Sequence, residues 1–156
     1  MWLKDADGPN RLMIRVTGYQ FPDAPDPARR FSWHMVGGEA HCQQGSWRFD
    51  WQALTCDESP RVSAWLGEVA TSITQRRVLP GSLQFLEPNL TFRAFPADAG
   101  RTRILVSLDL EFQPPWHRQQ GAGDPFALSF TIDEGQLRQA AGQWDAERAA
   151  FPDRTG

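Results

Sequence analysis

Apolar and polar residues alternate along much of this chain, and a period of two residues is typical of half-buried β-strands. In the first such segment Leu12, Ile14 and Val16 share one face, while the opposite face carries two arginines. Seven segments alternate in this way and are predicted as strands: 11–21, 31–42, 46–56, 83–85, 90–92, 104–112 and 126–132.

Segments 31–42 and 46–56 are predicted to form a hairpin around Gln44-Gly45, because only a short polar turn separates them. If Gln43 pairs with Ser46, three large side chains meet three small ones across the ladder, which favours this register. The opposed pairs are Trp47 with Cys42, Phe49 with Ala40 and Trp51 with Gly38. The Gly37-Gly38 pair is the predicted place for a β-bulge.

Two other segments repeat their apolar residues at helical spacing. The first begins at Ser59-Pro60, a hydroxyl N-cap followed by proline at the first helical position, and ends near 72–74. The second begins at Asp133, with Gln136 at the spacing of a capping box. The proline-rich stretch 22–27 is predicted as a loop, since proline has no N–H for a sheet ladder.

The predicted order of elements is therefore β-β-β-α-β-β-β-β-α. Short links between strands favour antiparallel pairing, so the sequence predicts an α+β fold with a largely antiparallel sheet of about seven strands and two helices. A length of 156 residues predicts a single domain over 1–156, with an ordered core over roughly 11–152.

Composition narrows the class of protein. A chain with 40% apolar residues and a net charge of −3 fits a packed globular protein, and a pI near 5.6 argues against general nucleic-acid binding. No window approaches the ~18 apolar residues of a membrane helix, and the first residues do not resemble a secretory signal. We therefore expect a cytoplasmic protein without membrane contact, in which Cys42 and Cys56 are buried, reduced thiols.

Candidate catalytic chemistry is sparse. The three histidines have no metal-ligand spacing, and no nucleophile elbow or phosphate loop is present. Asp109 and Glu111 lie two residues apart on a predicted strand and could act as an acid–base pair, although a solvated sheet face explains them as well. The sequence thus predicts no catalytic residues, metal site or cofactor.

Several segments contain more turn-forming and aromatic residues than a simple sheet requires, and together they resemble the WapI family of bacterial immunity proteins. The matching segments are Gly18–Pro22 (GYQFP), Trp65-Leu66, Leu83–Phe92 (L-x-F-x-E-P-N-L-x-F), Pro114–Trp116 (PPW) and Phe151–Arg154 (F-P-x-R). The resemblance covers roughly residues 12–154. It implies a small bacterial protein of the cytoplasm that binds and blocks the toxin domain of a contact-dependent or polymorphic toxin, commonly a nuclease. It implies no catalysis.

On this hypothesis the toxin-binding residues are outward-facing acids and an exposed aromatic side chain. The candidates are Asp57, Glu58, Asp109, Glu111, Trp116 and Asp124. The charge distribution favours the last third of the chain, because residues 105–156 carry 4 basic and 8 acidic side chains whereas residues 1–104 carry 12 and 11. Such an acidic surface would complement the basic cleft of a nuclease.

Two alternatives belong to other functional classes. The first is a module that binds a small ligand or a carbohydrate on a platform of exposed rings formed by Trp33, Trp47 and Trp51. The second is an enzyme that uses Asp109 and Glu111. The exposure of the tryptophans and the positions of the two carboxylates distinguish these alternatives from the immunity protein.

Overall fold

The structure is a computed structural model that describes residues 1–121 and 123–153. It has two antiparallel sheets and several helices, which confirms the predicted α+β class. The first sheet has four strands in chain order: β1 Trp2–Lys4, β2 Arg11–Tyr19, β3 Trp33–Cys42 and β4 Gly45–Thr55. The second has three: β5 Leu90–Pro96, β6 Thr102–Leu108 and β7 Phe126–Ile132. The helices are α1 Pro27–Arg30, α2 Pro60–Gln75, α3 Pro115–Gln119 and α4 Glu134–Ala149, and a 3-10 turn covers Leu110–Phe112.

One strand was not predicted, and one predicted strand is absent from the described residues. β1 was not predicted, because three residues are too few to show a period of two. The predicted strand at 83–85 is wrong, since Leu83 forms only an isolated bridge with Phe92. The chain leaves the ladder after this bridge because the backbone N–H of Leu86 donates to the side chain of Glu58 instead of to β5.

The β3–β4 hairpin forms, but its predicted register is wrong by two residues. Cys42 pairs with Gly45, so the turn contains Gln43 and Gln44, and Trp47, Phe49 and Trp51 oppose Ala40, Gly38 and Val36. Phe49 lies against a glycine for a steric reason: a Cβ added to Gly38 would stand 2.5 Å from the Phe49 ring. The register shifts at Val16/Gly18 and at His34/Met35, not at the predicted Gly37-Gly38 pair.

Both long helices confirm their predicted positions. α4 carries the capping box formed by Asp133 and Gln136. α2 begins after Ser59 as expected, but the Ser59 side chain does not cap the helix. Instead its Oγ lies 2.6 Å from Nδ1 of the buried His34. α2 and α4 pack against each other, and Trp144 of α4 donates from Nε1 to the carbonyl oxygen of Ser59.

One cluster of buried apolar side chains includes residues of both sheets and of both long helices. This shared core holds the ends of the second sheet in place. The loops that leave this sheet are therefore presented on a packed scaffold.

Candidate interaction surface

The end of the second sheet brings together segments that are far apart in the sequence. Leu90 of β5 pairs with Leu108 of β6, so the adjoining residues Asn89 and Asp109 lie side by side. The Asp109 N–H donates to the Asn89 carbonyl oxygen over 3.0 Å. The loop before β5 is thereby joined to the 3-10 turn after β6.

Glu111 strengthens this junction through the side chain of Asn89. Asn89 is fully buried, and its Nδ2 donates to Oε2 of Glu111 over 2.8 Å and to the carbonyl oxygen of Asp109 over 3.4 Å. The buried Nδ2 requires such partners, because an unpaired polar group in the interior costs roughly 1–3 kcal/mol, whereas Oδ1 of the same amide has no hydrogen-bond partner among the described residues. One of the predicted toxin-binding acids thus also has a structural task.

Glu58 holds the other end of the same loop. Its side chain is only 13% exposed and accepts hydrogen bonds from the N–H groups of Leu86, over 2.9 Å, and Thr55, over 3.1 Å. Arg61 lies 3.4 Å from the same carboxylate and donates to the carbonyl oxygen of Gln84. The loop of residues 84–89 is therefore held by Arg61 at Gln84, by Glu58 at Leu86 and by Glu111 at Asn89.

The prediction that Asp109 and Glu111 lie on one strand is wrong, because β6 ends at Leu108. Asp109 begins the 3-10 turn instead, and its Oδ1 accepts hydrogen bonds from Leu110 N and Gln113 Nε2. These bonds turn the chain so sharply that Leu110 adopts a φ of 50°. A left-handed conformation costs a residue with a Cβ about 1–2 kcal/mol.

Leu110 is also 46% exposed, between the two acids. Leu86, on the neighbouring loop, is 72% exposed. Both leucines are thus exposed on segments whose backbone is held by hydrogen bonds. We call the segments Asp57–Glu58, Gln84–Asn89 and Asp109–Gln113, together with Asp124, the loop surface.

Trp116 does not fill the predicted role of an exposed anchor. Its ring is half-buried and packs edge-to-face on Trp47 with 5.4 Å between centroids. A Cβ on Gly45 would lie 3.3 Å from this ring, so the start of β4 approaches it closely. The indole N–H is buried and has no hydrogen-bond partner among the described residues. Trp116 therefore packs on the start of β4, and its contact with a toxin stays a prediction.

The tryptophan platform expected for a carbohydrate-binding module is absent from the described residues. Trp47 is buried and donates from Nε1 to the carbonyl oxygen of Phe112 over 2.8 Å. Trp51 shares the inward side of β4 with Trp47, whereas Trp33 belongs to the outward side of β3. The three rings therefore cannot stack on one ligand.

A family model matches residues 3–152, and its description is the immunity protein WapI-like family. The chain belongs to the WapI-like family. This confirms the resemblance predicted from short segments and supports an immunity role and a toxin partner in general. No curated protein sequence and no solved structure matches the chain significantly. No helix in the described ranges is long and apolar enough to cross a membrane.

The segments that carry the WapI-like resemblance contact one another in the fold. The hydroxyl of Tyr19, in the GYQFP segment, donates to the carbonyl oxygen of Pro152 in the closing F-P segment over 2.7 Å. The Glu-Pro-Asn segment bonds to the turn that precedes Pro114–Trp116. Arg154, the last residue of the closing segment, lies outside the described residues.

The structure brings most of the predicted residues of this WapI-like chain near one another. Glu111 is joined to Asp109 through the Asn89 side chain. Gln113 joins Asp109 to Asp124, because its Nε2 donates to the Asp109 carboxylate and to the Asp124 carbonyl oxygen. His117 also bonds this carbonyl oxygen, so the Asp124 backbone is fixed while its side chain is exposed. Asp57 is exposed next to Glu58.

Sequence reasoning missed Leu86 and Leu110. Leu86 breaks the alternation of Leu83 and Phe85, which was the available signal that it does not face the core. Leu110 fitted the alternation of β6 and was assigned to the core, because periodicity does not reveal where a strand ends.

Among the described residues, two serine–histidine pairs lie within hydrogen-bond distance, and one of them, His41 with Ser46, is exposed. Ser59 and His34 form a close pair, but both are fully buried, so a substrate cannot reach them. The described ranges hold no group of three His, Cys, Asp or Glu side chains that could bind a metal ion. Cys42 and Cys56 are free and buried as expected, and burial raises the pKa of the Cys56 thiol to about 12, which keeps it protonated.

Proposed function

We propose that this chain is a bacterial immunity protein that binds and neutralises a cognate toxin domain through the loop surface. The observation that carries the proposal is Leu110, an exposed apolar residue in a left-handed conformation between two acids. A cost in backbone energy at an exposed leucine favours a role in contact with a partner.

The chemistry of the loop surface suits the active site of a nuclease. A nuclease cleft is basic because it binds phosphates, and a surface with carboxylates around exposed leucines offers complementary charge together with an apolar centre. Asp57 and Asp124 are exposed and can meet cationic side chains directly. In this proposal the immunity protein acts in the cytoplasm, occludes the active site and has no catalytic activity of its own.

Firm positioning of the loops supports tight binding. The loop of residues 84–89 is held by Glu58 and by Asn89, and the 3-10 turn is held by Asp109. Because these bonds exist without a partner, little conformational entropy remains to be lost on association.

The proposal is tested with the toxin domain encoded beside the gene for this chain. The two proteins are co-expressed, and growth, complex formation and degradation of cellular nucleic acids are measured. Protection of growth with a stable complex is expected. Continued growth inhibition, together with no association of the purified proteins, would refute the immunity role for that toxin.

Two variants test the loop surface itself. Leu110→Asn removes the apolar contact but keeps a residue that tolerates the left-handed conformation, and Val78→Asn alters an exposed apolar residue elsewhere. Asp124→Lys reverses an exposed charge, with Asp23→Lys in the proline-rich loop as its control. We expect Leu110→Asn and Asp124→Lys each to weaken toxin binding about tenfold or more, and the controls to have little effect. Full affinity in both test variants would place the contact elsewhere.

A further inference from the structure

The outer edge of β4 is a row of backbone groups that have no hydrogen-bond partner among the described residues. The backbone N–H of Ile14 in β2 donates to Met1, so the backbone groups of Leu12 and Ile14 point away from β3. Hydrogen-bonded pairs alternate along each antiparallel ladder, and in β4 the backbone N–H and C=O groups of Trp47, Phe49 and Trp51 therefore point toward β3. The backbone groups between these residues then point to the free edge. They belong to Ser46, Arg48, Asp50 and Gln52. No backbone hydrogen bond within the described ranges reaches them from outside β3.

Other sheet edges are covered by neighbouring segments. The β7 edge is bonded by Ala6 and Asp5, and β5 is bridged at its start by Leu83. The N–H of Trp2 in β1 donates to the side chain of Gln143. An edge such as Ser46–Gln52, whose outward backbone groups have no hydrogen bond from the described residues, is a template for pairing with another strand.

We propose that β4 pairs with β4 of a second copy of this chain, antiparallel and about a two-fold axis at Phe49. In this register Arg48 lies opposite Asp50 of the other copy, and the same pair recurs on the other side of the axis. Trp47 lies opposite Trp51 of the other copy, and Ser46 opposite Gln52. The segment Ser46–Gln52, with sequence SWRFDWQ, thus complements itself in charge and in ring size.

Charge also excludes the neighbouring registers. An axis at Arg48 would put two arginines opposite each other, and an axis at Asp50 would put two aspartates opposite each other. Like charges at directly opposed positions destabilise a strand pair. Axes at Arg48, Phe49 and Asp50 all place the outward backbone groups of the two strands opposite each other. Of these three registers, the one at Phe49 is therefore favoured.

The side chains are free to make these contacts. Arg48 is 83% exposed and bonds Glu39 through Nε, which leaves its terminal nitrogens for a second carboxylate. Asp50 is exposed, and its two contacts with the Thr17 hydroxyl are long, 3.4 Å each. Trp51 is 45% exposed in one copy and would lose part of this exposure against the strand of the second copy.

The proposal is tested by sedimentation equilibrium of the purified chain over a wide range of concentration. We expect a reversible monomer–dimer equilibrium, with a blue shift of tryptophan emission as Trp51 becomes partly covered. Asp50→Arg and Arg48→Asp each place like charges opposite each other and should raise the dissociation constant about tenfold or more. The double variant Arg48→Asp with Asp50→Arg restores opposite charges at both positions and should dimerise like the original chain.

Arg15→Asp is the matched control, because Arg15 is exposed on β2 of the same sheet, away from the edge. Circular dichroism checks that every variant folds. If one of the two single variants does not fold, the other still tests the charge pairing by itself. A chain that stays monomeric at all concentrations would overturn the proposal. So would a dimer that ignores the single variants or is not recovered in the double variant. If the chain is monomeric and Asp50→Arg also abolishes toxin binding, the dimer is overturned and the β4 edge is assigned to pairing with a strand of the toxin.

Discussion

The carboxylate of Glu111 accepts a hydrogen bond of 2.8 Å from the buried amide of Asn89, and this bond ties the loop before β5 to the turn after β6. Both residues lie in segments that carry the family resemblance or adjoin one. The bond explains why an asparagine follows Glu-Pro in this loop. A shorter or apolar side chain at this position would leave two oxygens without their donor.

Replacing Asn89 with alanine is therefore expected to destabilise the protein by roughly 1–3 kcal/mol, since the Glu111 carboxylate and the Asp109 carbonyl oxygen lose a buried donor. Denaturant unfolding measures this change in the free energy of unfolding. Glu87→Ala, two residues earlier in the loop, is the control and should change it by less than about 0.5 kcal/mol. Equal stabilities of the two variants would contradict the assigned role of Asn89.

His34 makes stability depend on pH. Burial, the largest cause, lowers its pKa from 6.5, with Arg148 acting in the same direction and the Phe151 carbonyl and Asp153 opposing it. Because the folded state holds the ring neutral, the unfolded state binds more protons once the pH falls below about 6.5. The contribution of His34 is therefore fully present above that pH and is lost as the pH falls toward the lower folded pKa.

Unfolding measured between about pH 7.5 and pH 5 should show this loss, and His34→Gln should reduce the slope. His41→Gln is the matched control, since His41 is exposed and bonds only the neighbouring hydroxyl of Ser46. An unchanged slope in His34→Gln would show that other groups dominate the acid sensitivity.

Cys56 should resist alkylation in the folded protein. Burial first, then the charges of Asp153 and Asp57, raise its pKa to about 12, so the reactive thiolate is scarce near neutral pH. In a Cys42→Ser variant, where Cys56 is the remaining thiol, labelling by iodoacetamide at pH 8 should be much slower than that of a small free thiol. Labelling should become fast in denaturant, and rapid labelling of the folded protein would contradict this burial.

Two glycine-to-alanine changes should have opposite signs. At Gly38 the added Cβ would lie 2.5 Å from both the Met13 carbonyl oxygen and the Phe49 ring, so we expect a loss of about 1–3 kcal/mol. At Gly67, inside α2, the Cβ meets nothing within 4 Å, and alanine should stabilise the helix by about 0.5–1 kcal/mol. Thermal or denaturant unfolding compares the two, and a stable Gly38→Ala variant would mean that β3 and β4 can separate there.

The loop surface could be predicted only in part. The acids were visible as an excess of charge in the last third of the chain, but only Asp109, Glu111 and Asp124 lie near this surface at one end of the second sheet, and the others lie in or next to α4. The apolar members were not visible, because Leu86 and Leu110 become exposed through hydrogen bonds to Glu58 and Asp109 that no period reveals. Trp116 was misjudged for the converse reason, since the ring that covers it belongs to β4.

The sequence by itself determined the α+β class, most of the strands, both long helices and the family, because period, capping residues and short segments are local properties. Only the tertiary structure decided the hairpin register, the end of β6 at Leu108, the exposure of each tryptophan and the free edge of β4. These depend on contacts between residues distant in the chain. A shift of the pairing register by one residue at a turn gives every side chain beyond the turn a new neighbour or places it on the other face of the sheet.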